Sequence, residues 1–198
     1  MKLRTIVLSG VLLASPFCGA AFAQTTGFYV SGAIGVTQYS VNSDPIIQQA
    51  VTINSVDKKD TGYNITLGYK LNDMWAVEAV YFDPGRAVVR GIGAPGIGGT
   101  YSERIHRTDW GLGVAWTHAL NPKWDFQARG GFTMWKVRYD GRGNIFSIGS
   151  EDGSDMYLGV KLGYNLNARV SGAIGADKTW GGRGQNYTLY SVSGTLRL

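Results

Sequence analysis

Tyr63-Asn64-Ile65-Thr66-Leu67-Gly68-Tyr69-Lys70-Leu71 alternates without a fault: every odd position is large and apolar, every even one small or polar. A period of two puts successive side chains on opposite faces of an extended chain, so this stretch reads as a strand with two unlike faces. The same period runs through Trp110, Leu112, Val114 and Trp116, set against Asp109, Gly111, Gly113 and Ala115. It recurs in Met156, Leu158, Val160, Leu162 and Tyr164, set against Tyr157, Gly159, Lys161, Gly163 and Asn165. Helical spacing fits none of these segments.

Carried along the chain, the template gives eight runs at 27–40, 61–71, 75–86, 105–119, 124–138, 154–166, 168–180 and 186–198. Each is long enough to cross a membrane at a tilt, which takes about 9–11 residues. The connections alternate in character. Asn72-Asp73-Met74, Leu120-Asn121-Pro122-Lys123 and Asn167 are tight turns, whereas 41–60, 87–104, 139–153 and 181–185 are mostly longer and rich in Gly, Asp and Arg. Short turns at one end and long loops at the other give an eight-stranded antiparallel transmembrane β-barrel, an up-and-down meander with its short turns and both termini on the periplasmic side.

A soluble barrel would also have one apolar face, and three details decide for the membrane. Ser31, Ala33, Gly35, Gly68, Gly111, Gly113, Gly131, Gly159, Gly163, Ala173 and Gly175 crowd the polar face with small residues, as a narrow interior demands. Lys70, Glu78, Asp109, Arg129, Lys161 and Asp177 share that face, where they can pair; facing lipid, a basic residue at midplane costs about 2–4 kcal/mol. The aromatics fall in two bands, as rings with polar tips do at the two interfaces of a bilayer. Phe28, Tyr69, Trp75, Trp116, Trp124, Phe126 and Tyr164 lie near the short turns. Tyr39, Tyr63, Tyr81, Trp110, Trp135, Trp180, Tyr187 and Tyr190 lie near the long loops.

The N-terminus fits an exported chain. Lys2 and Arg4, an apolar Ile6–Ala14 and the small-x-small Ala21-Phe22-Ala23 form a secretory signal peptide, cleaved after Ala23. Ser15 stands where a lipoprotein signal needs Leu. Removing 1–23 from the 198 residues leaves a single 175-residue domain, 24–198, without cysteine, since Cys18 goes with the signal. Its net charge falls from +5 to +3, too mild for a nucleic-acid partner.

The chain resembles the small OmpA-like and OmpX-like outer-membrane β-barrel proteins over its mature length. The residues that carry the resemblance are Gly27-Phe28-Tyr29-Val30-Ser31-Gly32-Ala33-Ile34-Gly35, Trp75-Ala76-Val77-Glu78-Ala79-Val80-Tyr81-Phe82-Asp83, and a last strand with Tyr190, Val192, Gly194, Leu196 and Leu198 outward. Leu198 departs from the terminal aromatic usual in such families. The resemblance implies the outer membrane of a Gram-negative bacterium, a monomer, and surrounding lipid and lipopolysaccharide. It also implies periplasmic chaperones and the barrel-assembly machinery during biogenesis. It does not extend to the peptidoglycan-binding domain of long OmpA proteins, because the chain stops at its eighth strand.

Few residues promise chemistry. His118 sits beside a turn and His106 near the loop end, facing outward; neither has an obvious serine and acid to make a catalytic set, so no enzyme and no cofactor are expected. Gly91-Ile92-Gly93-Ala94-Pro95-Gly96-Ile97-Gly98-Gly99 lacks the Gly-Lys-Ser/Thr ending of a nucleotide loop and reads as a surface loop. Glu151-Asp152-Gly153-Ser154-Asp155 lacks a calcium-loop pattern, and no metal site is expected. Glu78, Arg129 and Lys161, with Asp109, are expected to form an ion network that closes the lumen; a gated pore is the alternative. Arg86, Arg90, Arg104 and Arg107 form the densest basic cluster, either a solvated loop base or a contact for lipopolysaccharide phosphates. The leading function is structural or surface-interacting: envelope integrity, adhesion or contact with host or matrix surfaces through four external loops. The alternatives are a small-solute pore and a lipid A-modifying enzyme.

Overall fold

The computed structural model describes residues 26–41, 51–93, 99–142, 148–180 and 185–198. The expected signal peptide and the tip of the glycine-rich segment, 94–98, lie outside them. The described strands are β1 (Gly27–Val41), β2 (Val51–Asp57), β3 (Lys59–Lys70), β4 (Trp75–Asp83), β5 (Arg86–Gly93), β6 (Thr100–Ala119), β7 (Trp124–Arg142), β8 (Ile148–Asn165), β9 (Val170–Trp180) and β10 (Gln185–Arg197). β2 and β3 are two halves of one stave parted at Lys58, and β4 and β5 two halves of another parted at Pro84-Gly85, so the barrel is an eight-stranded antiparallel one. Neighbours in sequence pair with each other, and β1 pairs with β10 from Tyr29↔Arg197 to Val41↔Gln185, which closes the sheet and leaves the membrane wall without an edge.

Alternation sets the two faces as expected. Ile65, Leu67, Leu112, Phe132, Leu158 and Val192 are exposed on the outside, while Thr66, Asn64, Glu78, Arg129 and Asp177 are buried inside. The aromatic bands are real but smaller than expected. Tyr63, Tyr81 and Trp110 contact one another in sequence around the loop end, with centroids 6.2 and 4.7 Å apart. Phe28 and Tyr69, Trp124 and Tyr164, and Trp116 and Phe126 make similar pairs near the turns. Tyr39, Trp135 and Tyr187 belong to neither band: each falls on the inward phase of its strand, beside Thr37, Thr133 and Leu189, and is buried. With Phe82 and Tyr157 they fill the upper lumen as an apolar plug.

The three short turns share a design. Leu71-Asn72, Leu120-Asn121 and Leu166-Asn167 each end a strand, and each Asn Oδ1 accepts the backbone N–H groups two and three residues on. This Asx geometry reverses the chain while satisfying its backbone donors.

The expected loops are the main correction. Much of 41–60 and 87–104 is strand: β2 pairs with β5, β5 with β6, and the β6–β7 ladder continues to Ser102↔Arg142. Gly91-Ile92-Gly93 is therefore ladder rather than loop. The sheet rises well beyond the aromatic row of Tyr63, Tyr81 and Trp110. Its inner side there is closed by Ala87, Val89, Ile105 and Val137.

Candidate functional site

The lumen holds two ion clusters, one above the other. In the lower, Arg129 Nε and Nη2 donate to Asp177 Oδ1 and Oδ2 at 2.8 and 2.7 Å, a bidentate pair. Arg129 Nη1 reaches Thr66 Oγ1 at 3.1 Å and Glu78 Oε2 at 3.5 Å. Tyr29, whose ring lies over Gly68 where a Cβ would collide, donates its hydroxyl to Glu78 Oε1 at 2.6 Å. Asn64 Nδ2 donates to Asp177 Oδ2 at 3.2 Å. In the upper cluster Arg107 Nε donates to Asp109 Oδ1 at 2.7 Å and Nη2 to Asp155 Oδ2 at 2.5 Å. Tyr187 OH donates to Asp109 Oδ2 at 2.8 Å.

The expected single network of Glu78, Arg129, Lys161 and Asp109 is thus divided. Glu78 and Arg129 meet, with Asp177 as the stronger partner. Asp109 answers to Arg107 in the other cluster. Lys161 is buried on the same face but makes no ion pair among the described residues. Rings separate the two clusters. The Arg129 guanidinium lies 5.7 Å from the Phe82 ring centre and 6.0 Å from that of Tyr157, and Arg107 lies 5.2 and 5.3 Å from Trp135 and Tyr187.

The expected arginine cluster also divides. Arg107 is 1% exposed and lies in the lumen, because it is two residues from inward Asp109 and shares its face. Arg86, Arg90 and Arg104 face outward on the sheet that rises beyond the aromatic row. Register adds cations that sequence proximity did not bring in. Arg86, His106 and Arg138 stand directly abreast across β5, β6 and β7, and exposed Lys136 lies one row below on β7, opposite Thr108. Adjacent strands are about 4.8 Å apart, so Arg86, Arg138 and Lys136 gather around His106 in a dense outward-facing patch. Two exposed carboxylates stand within it, Asp140 directly opposite Arg104 and Asp152 directly opposite Lys136, so the patch is cationic on balance. The β6–β7 register carries this: within the runs 105–119 and 124–138 it sets Lys136 opposite Thr108 and Arg138 opposite His106, on the same outward face.

At the foot of this patch Asp83 ties the interrupted stave together. Its Oδ1 accepts the Gly85 N–H at 3.0 Å and lies 3.2 Å from His106 Nε2, and its Oδ2 accepts Tyr63 OH at 3.2 Å. Gly85 takes φ +81° with the Thr61 carbonyl oxygen where a Cβ would stand, a place a side chain would not fit. Burial alone would raise the Asp83 carboxyl, but the hydrogen bonds from His106, Gly85 and Tyr63 outweigh it and hold the group below the usual carboxylate range.

His118 stacks on Trp116 at the opposite end, 5.7 Å between ring centres, too far along β6 to join His106. Glu151-Asp152-Gly153-Ser154-Asp155 lies within β8 and alternates between faces. No group of His, Cys, Asp or Glu able to hold a metal occurs among the described residues.

A family model described as the outer membrane protein beta-barrel domain matches residues 9–195. No curated protein sequence matches the chain. Among solved structures it is similar to the N-terminal β-barrel domain of Pseudomonas aeruginosa OprF, at 12% identity over 88% of this chain and 100% of that one, with a TM-score of 0.57. It is similar also to Neisserial surface protein A, at 13% identity over 87% and 97%, TM-score 0.56. The third is Ail, the attachment invasion locus protein of Yersinia pestis, at 14% identity over 87% and 99%, TM-score 0.52. Ail has also been solved with the heparin analogue sucrose octasulfate. The likeness to these structures is one of fold. With an outside of apolar side chains between aromatic rows, an ion-paired interior and a family match over nearly its whole length, the chain belongs to the outer membrane protein beta-barrel domain family and resides in the outer membrane of a Gram-negative bacterium.

Proposed function

We propose that this barrel is a surface-interaction protein whose cationic face engages polyanions at the cell surface. The observation that carries the reading is the outward patch of Arg86, Arg90, Arg104, Lys136 and Arg138 on β5–β7, in which Arg86 and Arg138 stand on either side of His106, above the aromatic row. Guanidinium groups match phosphate and sulfate oxygens in bidentate fashion. The face begins where lipid headgroups end, so lipopolysaccharide phosphates and sulfated host glycans both lie within its reach. The complex of Ail with a heparin analogue supports the second source by analogy of fold. Neither the lumen nor the paired histidine argues for catalysis, since no nucleophile lies within hydrogen-bond distance of His106 among the described residues.

The test is replacement of Arg86, Arg90, Arg104 and Arg138 together by Gln. Heparin retention and lipopolysaccharide co-purification of the refolded variant are then compared with the parent. Loss of one or both, with the gel mobility of the folded barrel unchanged, supports the reading; retention of both at parental levels sinks it.

A further inference from the structure

Five of the buried side-chain atoms that lack a hydrogen-bond partner fall on three neighbouring strands: Thr133 Oγ1 and Trp135 Nε1 on β7, Asp155 Oδ1 and Tyr157 OH on β8, and Thr179 Oγ1 on β9. Tyr157 reaches across the lumen to Gly113, so its hydroxyl lies apart. The others share one patch of wall. Thr133 is directly opposite Asp155 in the ladder, and Trp135 is opposite Gly153, its ring in the space a side chain there would occupy. Thr179 faces Tyr157, one diagonal step from Asp155. Directly opposed Cβ atoms lie about 4.5–5.5 Å apart, and diagonal pairs about 7–8 Å. An oxygen-rich wall of this size suits one small guest rather than direct contacts.

Charge says which guest. Arg107 answers to both Asp109 and Asp155, so these three residues carry an excess of negative charge, in a setting closed by Trp135, Val137 and Leu189. Lys161 lies six residues along β8, about 20 Å away at strand rise, and among the described residues no cation besides Arg107 pairs with Asp109 or Asp155. An uncompensated buried charge is costly, and a bare carboxylate oxygen beside an unsatisfied hydroxyl is where a cation relieves it. Calcium takes about six to eight oxygen ligands, whereas one carboxylate oxygen and a few neutral groups are left here.

We propose that the upper lumen binds a single monovalent alkali cation. Asp155 Oδ1 and the Thr133 hydroxyl are its protein ligands. The Thr179 hydroxyl and the Trp135 N–H orient the water that completes its shell. The site is separate from the outward cationic face and does not depend on it.

The experiment uses the mature barrel refolded in phosphatidylcholine vesicles, unfolded by urea at constant ionic strength with choline chloride exchanged for NaCl or KCl. Each tenfold rise in alkali cation above its dissociation constant should favour the folded barrel about tenfold over choline. Thr133→Val, which keeps the shape of the side chain, and Asp155→Asn should each remove that dependence. Equal unfolding in choline and alkali salt would overturn the proposal. So would an alkali effect that persists in Thr133→Val, which remains decisive if Asp155→Asn does not fold. A response to calcium at concentrations where sodium has none would assign the site to a different ion and also overturns it.

Discussion

A guanidinium with no exposed surface is stable only while its charge is answered, and Arg129 meets this condition through Asp177 on one side and Glu78 on the other. Arg129→Ala strands two buried carboxylates at once. Removing one partner of a buried pair costs about 3–5 kcal/mol, and urea unfolding of the vesicle-refolded barrel should show a loss of that order. Arg129→Ala combined with Asp177→Asn should recover part of it, because the second change removes the orphaned charge. Asp83 gives a prediction in pH. Its carboxyl is held below the ordinary value near 4, so the hydrogen bonds it makes to His106, Gly85 and Tyr63 contribute stability fully present above that value. The contribution fades as pH falls through the depressed pKa. Proteolysis at the Pro84-Gly85 junction, followed from pH 7 to pH 3, should stay flat down to about 4 and then accelerate. Asp83→Asn should cleave faster at pH 7 and lose that dependence.

Across a single strand, β6 shows what the sequence could and could not say. Between Trp110 and Trp116 lipid lies on one side and a crowded lumen on the other, so each residue type declares its face: Leu112 and Val114 outward, Gly111, Gly113 and Ala115 inward. The same constraint made most of the eight crossings legible. Leu112→Arg, on the lipid face between the two aromatic rows, should therefore destabilise the folded barrel by about 2–4 kcal/mol in urea titrations, whereas Arg104→Leu above the row should change little. Beyond Trp110 the constraint lapses. On β5 Arg86 and Arg90 alternate with Ala87 and Val89, but water has replaced lipid, and the glycines at 91, 93, 96, 98 and 99 then suggest a loop. That is why the rising sheet was read as connections. The candidate site is legible only in part. Arg107 lies near Arg104 along the chain, but its parity with Asp109 places it inside, and Lys136 and Arg138 join the patch only through the β6–β7 register, which no single strand displays. Residue type alone points Tyr39, Trp135 and Tyr187 to the interface, whereas counting by twos from Thr37, Thr133 and Leu189 puts all three in the lumen.

At the scale of the barrel, the two ion clusters and the rings between them stand in series along one narrow lumen. An ion crossing it would have to pass the Arg129–Asp177–Glu78 cluster and then Phe82, Tyr157 and Tyr187. Beyond these lies the Arg107–Asp109–Asp155 cluster. An eight-stranded interior is just wide enough for side chains to fill it, and here both clusters and the rings between them project into it. Purified protein in planar bilayers should give no steady single-channel steps. The serial arrangement makes a sharper demand than closure alone. Arg129→Ala dissolves the lower cluster but leaves the aromatic plug and the upper pair in place, so it should weaken the fold without opening a path. Conductance should appear only when Arg129→Ala is combined with both Arg107→Ala and a loss of ring volume at Tyr157. Regular steps from the parent protein, or from Arg129→Ala alone, would mean that a single latch controls the lumen and that the barrel's role includes transport.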